Sequence, residues 1–257
     1  MIDSHAHLTK RLCDVATGEG LGELKAIVLA ASNLEDSREN LKLANKNPKL
    51  FACVGIHPQN TDPKEKLSIK KQLILLDDLV SKNKTNIVAI GETGLDYSPA
   101  PESEEDRNKK DQEELFRGQV EISVRYNLPL IIHARKAVDE VIEILDDYKK
   151  AKGVFHCYAG GKKRIKKVLA LGENWYFGID GNLTYEAGLE QVVVEIPQDR
   201  LVLETDCPFL TPVPHRGEKN KPEYVKFVYK KVAEIWKKSF EETEKIVDRN
   251  VEQLFGF

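Results

Sequence analysis

The chain has 257 residues, with 39 Lys plus Arg against 42 Asp plus Glu and a formal charge of −3. That length is too great for a disulfide-stapled mini-scaffold and awkward for two full domains, whereas one α/β barrel needs about 250 residues. A mildly acidic chain lacks the global positive field of a protein that coats nucleic acid, so any polyanion must be met by local charge. In chain order, short apolar runs predict strands at residues 1–2 running into His5, then 26–30, 50–54, 87–90, 130–132, 154–155, 175–177 and 201–203. Between them, Leu73, Leu76 and Val80 mark one helical face, and Leu115, Val120, Ile122 and Val124 another. The clearest is Val138, Val141, Ile142, Leu145 and Tyr148, set above Asp139, Glu140, Glu143 and Asp147.

Strands alternating with helices imply a parallel sheet, whose members read as continuous apolar runs because both faces are covered. Eight such units in this length are the arithmetic of an α/β fold built as a single (β/α)8 TIM-type barrel over residues 1–257, although an open sheet of six or seven strands has the same periodicity. The polar stretch 98–112 reads as one long loop and the Pro-rich stretch 211–222 as a second. Both follow strand ends, the face of a barrel where active sites lie.

Cys13, Cys53, Cys157 and Cys207 form no Cys-x-x-Cys pair and read as reduced residues of a cytoplasmic protein. The first residues lack a charged and apolar leader, and the longest apolar run, 26–31, is far short of the roughly 18 residues of a membrane span. A soluble, cytoplasmic monomer without membrane partners is the expectation.

Ligand-type side chains recur at strand ends. His5 and His7 follow the first strand, His57 the third, Glu92 the fourth, His133 the fifth, His156 the sixth, and Glu204 with Asp206 the eighth. A barrel brings these ends to one mouth. In extended chain, His5 and His7 point to the same side and can grip one metal ion, although His-x-His alone also describes a polar strand end. His133 and His156, each behind an apolar run, taken singly also fit hydrogen-bonded core histidines. Glu92 could bridge two cations with its two oxygens, the alternative being a carboxylate at a helix N-terminus. Glu204 and Asp206 alternate onto one side. Asp206 suits metal ligation and the orienting or deprotonation of water, while Glu204 would stand behind a ligand and hold it in place. Asp3 has the parity of His5 and could act like Glu204, or be structural; Asp96 could brace the following loop.

Taken together, Asp3-Ser-His-Ala-His7, Gly55-Ile-His-Pro58, Gly91-Glu-Thr-Gly-Leu-Asp-Tyr97, His133-Ala-Arg135, His156-Cys-Tyr-Ala-Gly160 and Leu203-Glu-Thr-Asp-Cys-Pro208 with Arg216-Gly217 resemble the TatD family of metal-dependent deoxyribonucleases. The resemblance implies an amidohydrolase-type barrel whose two divalent metal ions, Zn²⁺, Mn²⁺ or Mg²⁺, hydrolyse phosphodiesters in single-stranded or frayed DNA, often from a 3′ end. It implies that His5, His7, Glu92 and Asp206 hold one cation and Glu92, His133 and His156 the other. His57 resembles the histidine that faces the scissile phosphate, so Asp206, His57 and Glu92 are the expected catalytic residues. Arg135 and Arg216 match positions that could clamp phosphate, the alternative being ion pairs at strand ends. Another reading is a barrel hydrolase of a small amide, lactone or phosphoester. Such enzymes often carry a carboxylated lysine after the fourth strand, where this chain has Glu92.

Three departures are visible. Residues 8–25 are short for a first helix and its loop, Ala159 stands where a hydroxyl is usual, and Asn220-Lys221-Pro222 replaces Asn-Glu-Pro. None touches the expected ligands. Beyond the site, Lys162 and Lys163 follow the sixth strand and could meet phosphate, while Lys166 and Lys167 read as a solvated helix face. Tyr97, Tyr158 and Phe209 could stack on bases or pack their loops. His215 has no role in this reading.

Overall fold

A computed structural model describes residues 1–7, 21–60, 67–100 and 108–257. Eight parallel strands follow in sequence order around one sheet: β1 Ile2–Ala6, β2 Ala26–Leu29, β3 Leu50–Val54, β4 Ile87–Asp96, β5 Leu130–Arg135, β6 Gly153–Phe155, β7 Trp175–Ile179 and β8 Leu201–Leu203. Closure falls between β1 and the chain just past β8, through a parallel bridge of Ala6 with Cys207 and bonds of 3.0 Å from Asp206 N to His5 O and 2.8 Å from His7 N to Cys207 O. The barrel, rather than an open sheet, is therefore the architecture. The helices are α1 Leu34–Lys46, α2 Ile69–Asn83, α3 Lys109–Tyr126, α4 Val138–Asp146, α5 Gly161–Ala170, α6 Ala187–Glu195, α7 Val225–Trp236 and α8 Phe240–Phe255.

Side-chain alternation divides the core in two. Ile2, Val28, Cys53, Ala89, Ile131, Val154, Tyr176 and Val202, from eight different strands, face inward and meet Val251, Leu254 and Phe255 of α8 at the floor. Ile27, Leu29, Ala52, Leu130, Ile132, Phe155, Phe177, Leu201 and Leu203 belong to the second cluster, against the helices. Period two then explains the mouth, because an inward residue two places beyond an inward apolar one lies one layer higher. Ile131 leads to His133, Val154 to His156, and Val202 to Glu204.

Two strands break that register where ligand-type residues sit. Against β2, β1 fits an extra residue between Asp3 and Ala6, and β4 does the same against β5 between Ile90 and Thr93. Such bulges re-aim side chains, and they lie at His5 and Glu92. Gly91, at the β4 bulge, has no room for a side chain: a Cβ there would lie 2.6 Å from Cβ of Ile131.

Several boundaries differ from the sequence expectation. β4 runs on through Asp96 and β5 through Arg135, because main-chain pairing of Thr93 to Asp96 with Ile132 to Arg135 continues past the apolar runs. The predicted loop 98–112 ends at Asn108, whose side chain caps α3 by accepting from Lys110 N. α4 stops at Asp146, so Tyr148 lies past its end. The shortness of the approach after the first strand, and Cys13, fall outside the described residues. Cys53 and Cys207 are buried free thiols, and Cys157 is half-buried and free.

Candidate metal centre

Glu92 is buried in β4, not at a helix terminus, so the helix-dipole reading does not apply. Its two oxygens face different groups of imidazoles. Oε2 lies 3.2 Å from His7 Nε2 and 3.7 Å from His5 Nε2. Oε1 lies 2.8 Å from His156 Nε2, 2.9 Å from His133 Nδ1 and 3.4 Å from His57 Nε2. On the first side, His5 Nε2 and His7 Nε2 are 3.2 Å apart, and Asp206 Oδ1 is 3.4 and 3.6 Å from them. All six sequence-predicted ligand residues thus converge. Among the described residues, His5–His7–Asp206, His5–Glu92–His156 and His57–Glu92–His133 are groups compact enough to hold a metal ion.

Asp206 reaches the centre from a left-handed backbone, φ 52°, just past β8. That conformation is uncommon away from glycine. Its N–H donates to His5 O at 3.0 Å and its carbonyl accepts from Phe209 N at 2.9 Å. Asp3 proves structural: Oδ1 accepts from Thr205 N at 2.9 Å and His5 N at 3.3 Å, and Oδ2 accepts from Thr205 Oγ1 at 2.6 Å. It pins the backbone of β1 to the segment that carries Glu204 and Asp206.

Hydrogen bonds on the far side of each ring sort the histidines. His133 Nε2 is 3.2 Å from Asp96 Oδ2, so Nε2–H donates there and the Nδ1 lone pair faces Glu92. His156 Nδ1 lies 3.7 Å from Glu204 Oε1, beyond hydrogen-bond distance, that carboxylate accepting from Cys157 N at 2.5 Å, and Nε2 faces Glu92. His57 is opposite in sense. Its Nδ1 accepts from Gln59 N at 3.1 Å, so the neutral ring carries its proton on Nε2, the atom turned to the centre. A ring in that state is a donor rather than a ligand. Asp96 does more than brace its loop: besides His133 it accepts from Ser98 N at 2.9 Å and from Gln59 Nε2 at 2.8 Å.

Electrostatics fit a cation. Burial opposes ionisation of Glu92, yet His156, His57 and His133 hold its carboxyl well below the usual range. Burial likewise opposes charge on His156, but Glu92, and behind it Glu204 and Asp206, push it up to about 10. Burial and His156 drive His5 down to about 4. In the bare protein, imidazole protons thus balance the carboxylates, the task a divalent ion performs better. On the ring sides turned away from Glu92, buried His5 Nδ1 and His156 Nδ1 lack a hydrogen-bond partner among the described residues, as does Glu204 Oε2. Imidazole with carboxylate suits Zn²⁺ or Mn²⁺, with Mg²⁺ favoured less.

One acid at a strand end escaped the sequence reading. Asp180, directly after β7, is buried, accepts from Asn182 N at 2.7 Å, and is pushed up to about 6 by burial despite that bond. The positional signal that marked the others, a carboxylate behind the apolar run ending at Ile179, was present.

The centre floors a cavity of about 1390 Å³ whose rim includes Arg135, Arg164, Asn182, Phe209 and, on another side, Glu35, Asp36 and Glu39. Arg135 makes no ion pair with a described residue. Arg216 and Lys162 are not on this rim: Arg216 packs on Tyr185, and Lys162 is exposed on α5. Tyr158 is buried between Phe155 and Phe177, and Tyr97 donates to Glu113 Oε1 at 2.9 Å beneath Lys109, so both pack their loops. Phe209 is 60% exposed, edge-on to His7.

A parallel barrel whose mouth gathers imidazoles around a shared carboxylate belongs with the metal-dependent hydrolases. Residues 2–256 match the family model of TatD related DNase, and the chain belongs to that family. It is 34% identical over 265 residues to the uncharacterized metal-dependent hydrolase YabD of Bacillus subtilis (strain 168), covering 99% of this chain and 98% of that protein. It is 30% identical over 268 residues to the uncharacterized metal-dependent hydrolase YcfH of Escherichia coli (strain K12), covering 99% and 95%. The crystal structure of YJJV, a TatD homolog from Escherichia coli K12, superposes with a TM-score of 0.88 at 26% identity over 100% of this chain and 98% of that one. Dihydroorotase from Campylobacter jejuni, at 15% identity and a TM-score of 0.62 over 100% and 83%, shares the fold alone. No helix among the described residues is long and apolar enough to cross a membrane.

Proposed function

We propose that the protein is a deoxyribonuclease that holds two divalent cations and hydrolyses phosphodiester bonds in single-stranded or frayed DNA, acting as a 3′–5′ exonuclease. The observation that carries this reading is the division of Glu92, with Oε2 toward His5 and His7 and Oε1 toward His133 and His156. His5, His7, Glu92 and Asp206 hold one ion; Glu92, His133 and His156 hold the other. When bound, the pair neutralises phosphate charge and acidifies water.

The chain's own residues supply the rest. Asp206 accepts the proton of the attacking water. His57 keeps Nε2–H aimed at the centre through the Gln59 N–H on its Nδ1, and donates a hydrogen bond from it to a phosphate oxygen. Arg135, on the rim, clamps the phosphate, Asp96 fixes the orientation of His133 through its hydrogen bond, and Glu204 backs His156 with its charge from 3.7 Å. A cavity of about 1390 Å³ exceeds the roughly 300–1,000 Å³ that encloses a small molecule, which favours a polymer over an amide or lactone.

An end-labelled oligonucleotide incubated with Mn²⁺, Mg²⁺ or Zn²⁺ should shorten as a ladder, and His133→Ala or Asp206→Ala should abolish this. Intact DNA beside rapid turnover of a lactone or amide would overturn the reading.

A further inference from the structure

Residues 215–230 hold five cations, Arg216, Lys219, Lys221, Lys226 and Lys230, against two carboxylates, Glu218 and Glu223, in a chain of net charge −3. This segment begins beside the mouth and climbs onto α7. The Arg216 guanidinium lies 3.8 Å over the ring centroid of Tyr185 and donates to its hydroxyl at 2.8 Å. Tyr185 in turn donates to Oδ1 of Asn182, a cavity-rim residue. Farther out, the His215 ring stacks on Tyr224 at 4.2 Å and 6°, and sits 5.3 Å from Phe227. The ammonium of Lys221 is 5.8 Å from the Tyr224 ring, and those of Lys226 and Lys230 are 5.1 and 5.8 Å from Phe227. Glu218 secures the cluster, 3.2 Å from both His215 Nδ1 and the Tyr224 hydroxyl.

The fold does not call for this strip. α7 buries Val225, Val228, Tyr229, Val232 and Ala233, whereas Lys226 and Phe227 are half-exposed and Lys230 exposed. Half-exposed rings edged by ammonium groups are what a sequence-tolerant single-strand site uses, with cations meeting phosphates and flat groups meeting bases.

We propose that this strip, from Tyr185–Arg216 through His215, Tyr224 and Phe227, is a track that binds single-stranded nucleic acid outside the cleavage centre. The inference rests on the nuclease reading and deepens it: the preferred substrate is a strand several nucleotides long. In a duplex the base faces are already stacked, so the track discriminates against paired DNA.

The test compares metal-loaded wild type with Lys226→Glu/Lys230→Glu, Phe227→Ala and Phe227→Trp, on the twelve-nucleotide thymidine strand and on the dinucleotide TpT. Charge reversal should raise KM for the long strand about tenfold and flatten its salt dependence by about 1.4 log units per log unit, about 0.7 for each lysine. Phe227→Ala should raise that KM about fivefold or more, and Phe227→Trp should restore it. Both effects should leave TpT turnover within about twofold, which a general loss of folding would not. Unchanged KM for the long strand in the charge-reversed protein, or equal losses on both substrates, overturns the track. If wild type cuts TpT as well as the long strand, the track falls and the nuclease reading stands. If it cuts neither with any metal, the nuclease reading itself falls.

Discussion

Glu92 Oε1 lies 2.8 Å from His156 Nε2 while the other oxygen of the same carboxylate lies 3.2 Å from His7 Nε2, so one side chain joins both halves of the centre. Glu92→Gln keeps the shape and removes the charge and one acceptor. If the centre holds two ions as proposed, metal content at saturation should fall to one or none, and kcat by about 10³-fold or more, since a shared ligand serves both groups. Elemental analysis of dialysed protein alongside single-turnover cleavage checks both. Full metal content in the variant would remove Glu92 from the bridging position.

Glu204 touches the centre only through others, standing 3.7 Å from His156 Nδ1 and accepting from Cys157 N. Removing such a partner commonly costs about 10–100-fold in metal affinity. Glu204→Gln should therefore lose activity at limiting metal and regain most of it when metal is raised about 100-fold. Activity that stays low in saturating metal would assign Glu204 to the chemistry instead.

Much of this centre was legible because alternation along β5, β6 and β8 is set by the apolar residues beneath it. Once Ile131, Val154 and Val202 fill the interior, His133, His156 and Glu204 must face the mouth. The bulges that turn His5 and Glu92 inward leave no such trace, since an extra residue in a ladder depends on the neighbouring strand. Strand-end position alone does not distinguish His57 from His133, which the family resemblance separates. Their difference lies in what each ring's far nitrogen meets, Gln59 N–H in one case and Asp96 in the other, and both partners come from loop geometry. Nor does the sequence show that Arg216 packs on Tyr185, a residue 31 positions away.

The floor of the barrel is tied by Asp248. Its Oδ1 accepts from Tyr229 at 2.8 Å and from Ile2 N at 3.1 Å, and its Oδ2 pairs with Lys25 at 2.7 Å. Asp248→Ala leaves a buried hydroxyl and a strand N–H without that acceptor. Such a loss should cost about 2–4 kcal/mol. Urea unfolding should show the midpoint fall with an unchanged slope, and a loss under about 0.5 kcal/mol would contradict this account of the floor.

Asp139 links α4 to α5 by accepting from Arg164 Nε at 2.8 Å and Lys167 Nζ at 2.9 Å. Those cations hold its carboxyl down to about 2, from an ordinary 3.8. A depressed folded-state pKa means that the stabilisation is complete above about pH 4 and lost as pH falls through about 2. The pair is more than a third exposed, so solvent screening limits it to about 0.5–1 kcal/mol. Asp139→Asn should be less stable than wild type at pH 6, with the gap shrinking as pH falls towards 2 and narrowing in high salt.

Phe209 is 60% exposed on the cavity rim, edge-on to His7 with ring centroids 6.5 Å apart. Its main chain is already fixed by Asp206 O and by Asn220 Nδ2, which donates to Phe209 O at 2.5 Å. The ring is therefore not needed to hold the loop, and an aromatic face left open beside the centre can take a base. Phe209→Ala should raise KM for an oligonucleotide by about 5–100-fold, the range for losing one base stack, with melting temperature nearly unchanged. Phe209→Leu should recover little of this, because a branched aliphatic chain offers area without a flat face. Equal KM values for the leucine variant and wild type would mean that Phe209 excludes water rather than stacks. A fall in kcat without a change in KM would place its effect on His7 and the metal side of the site.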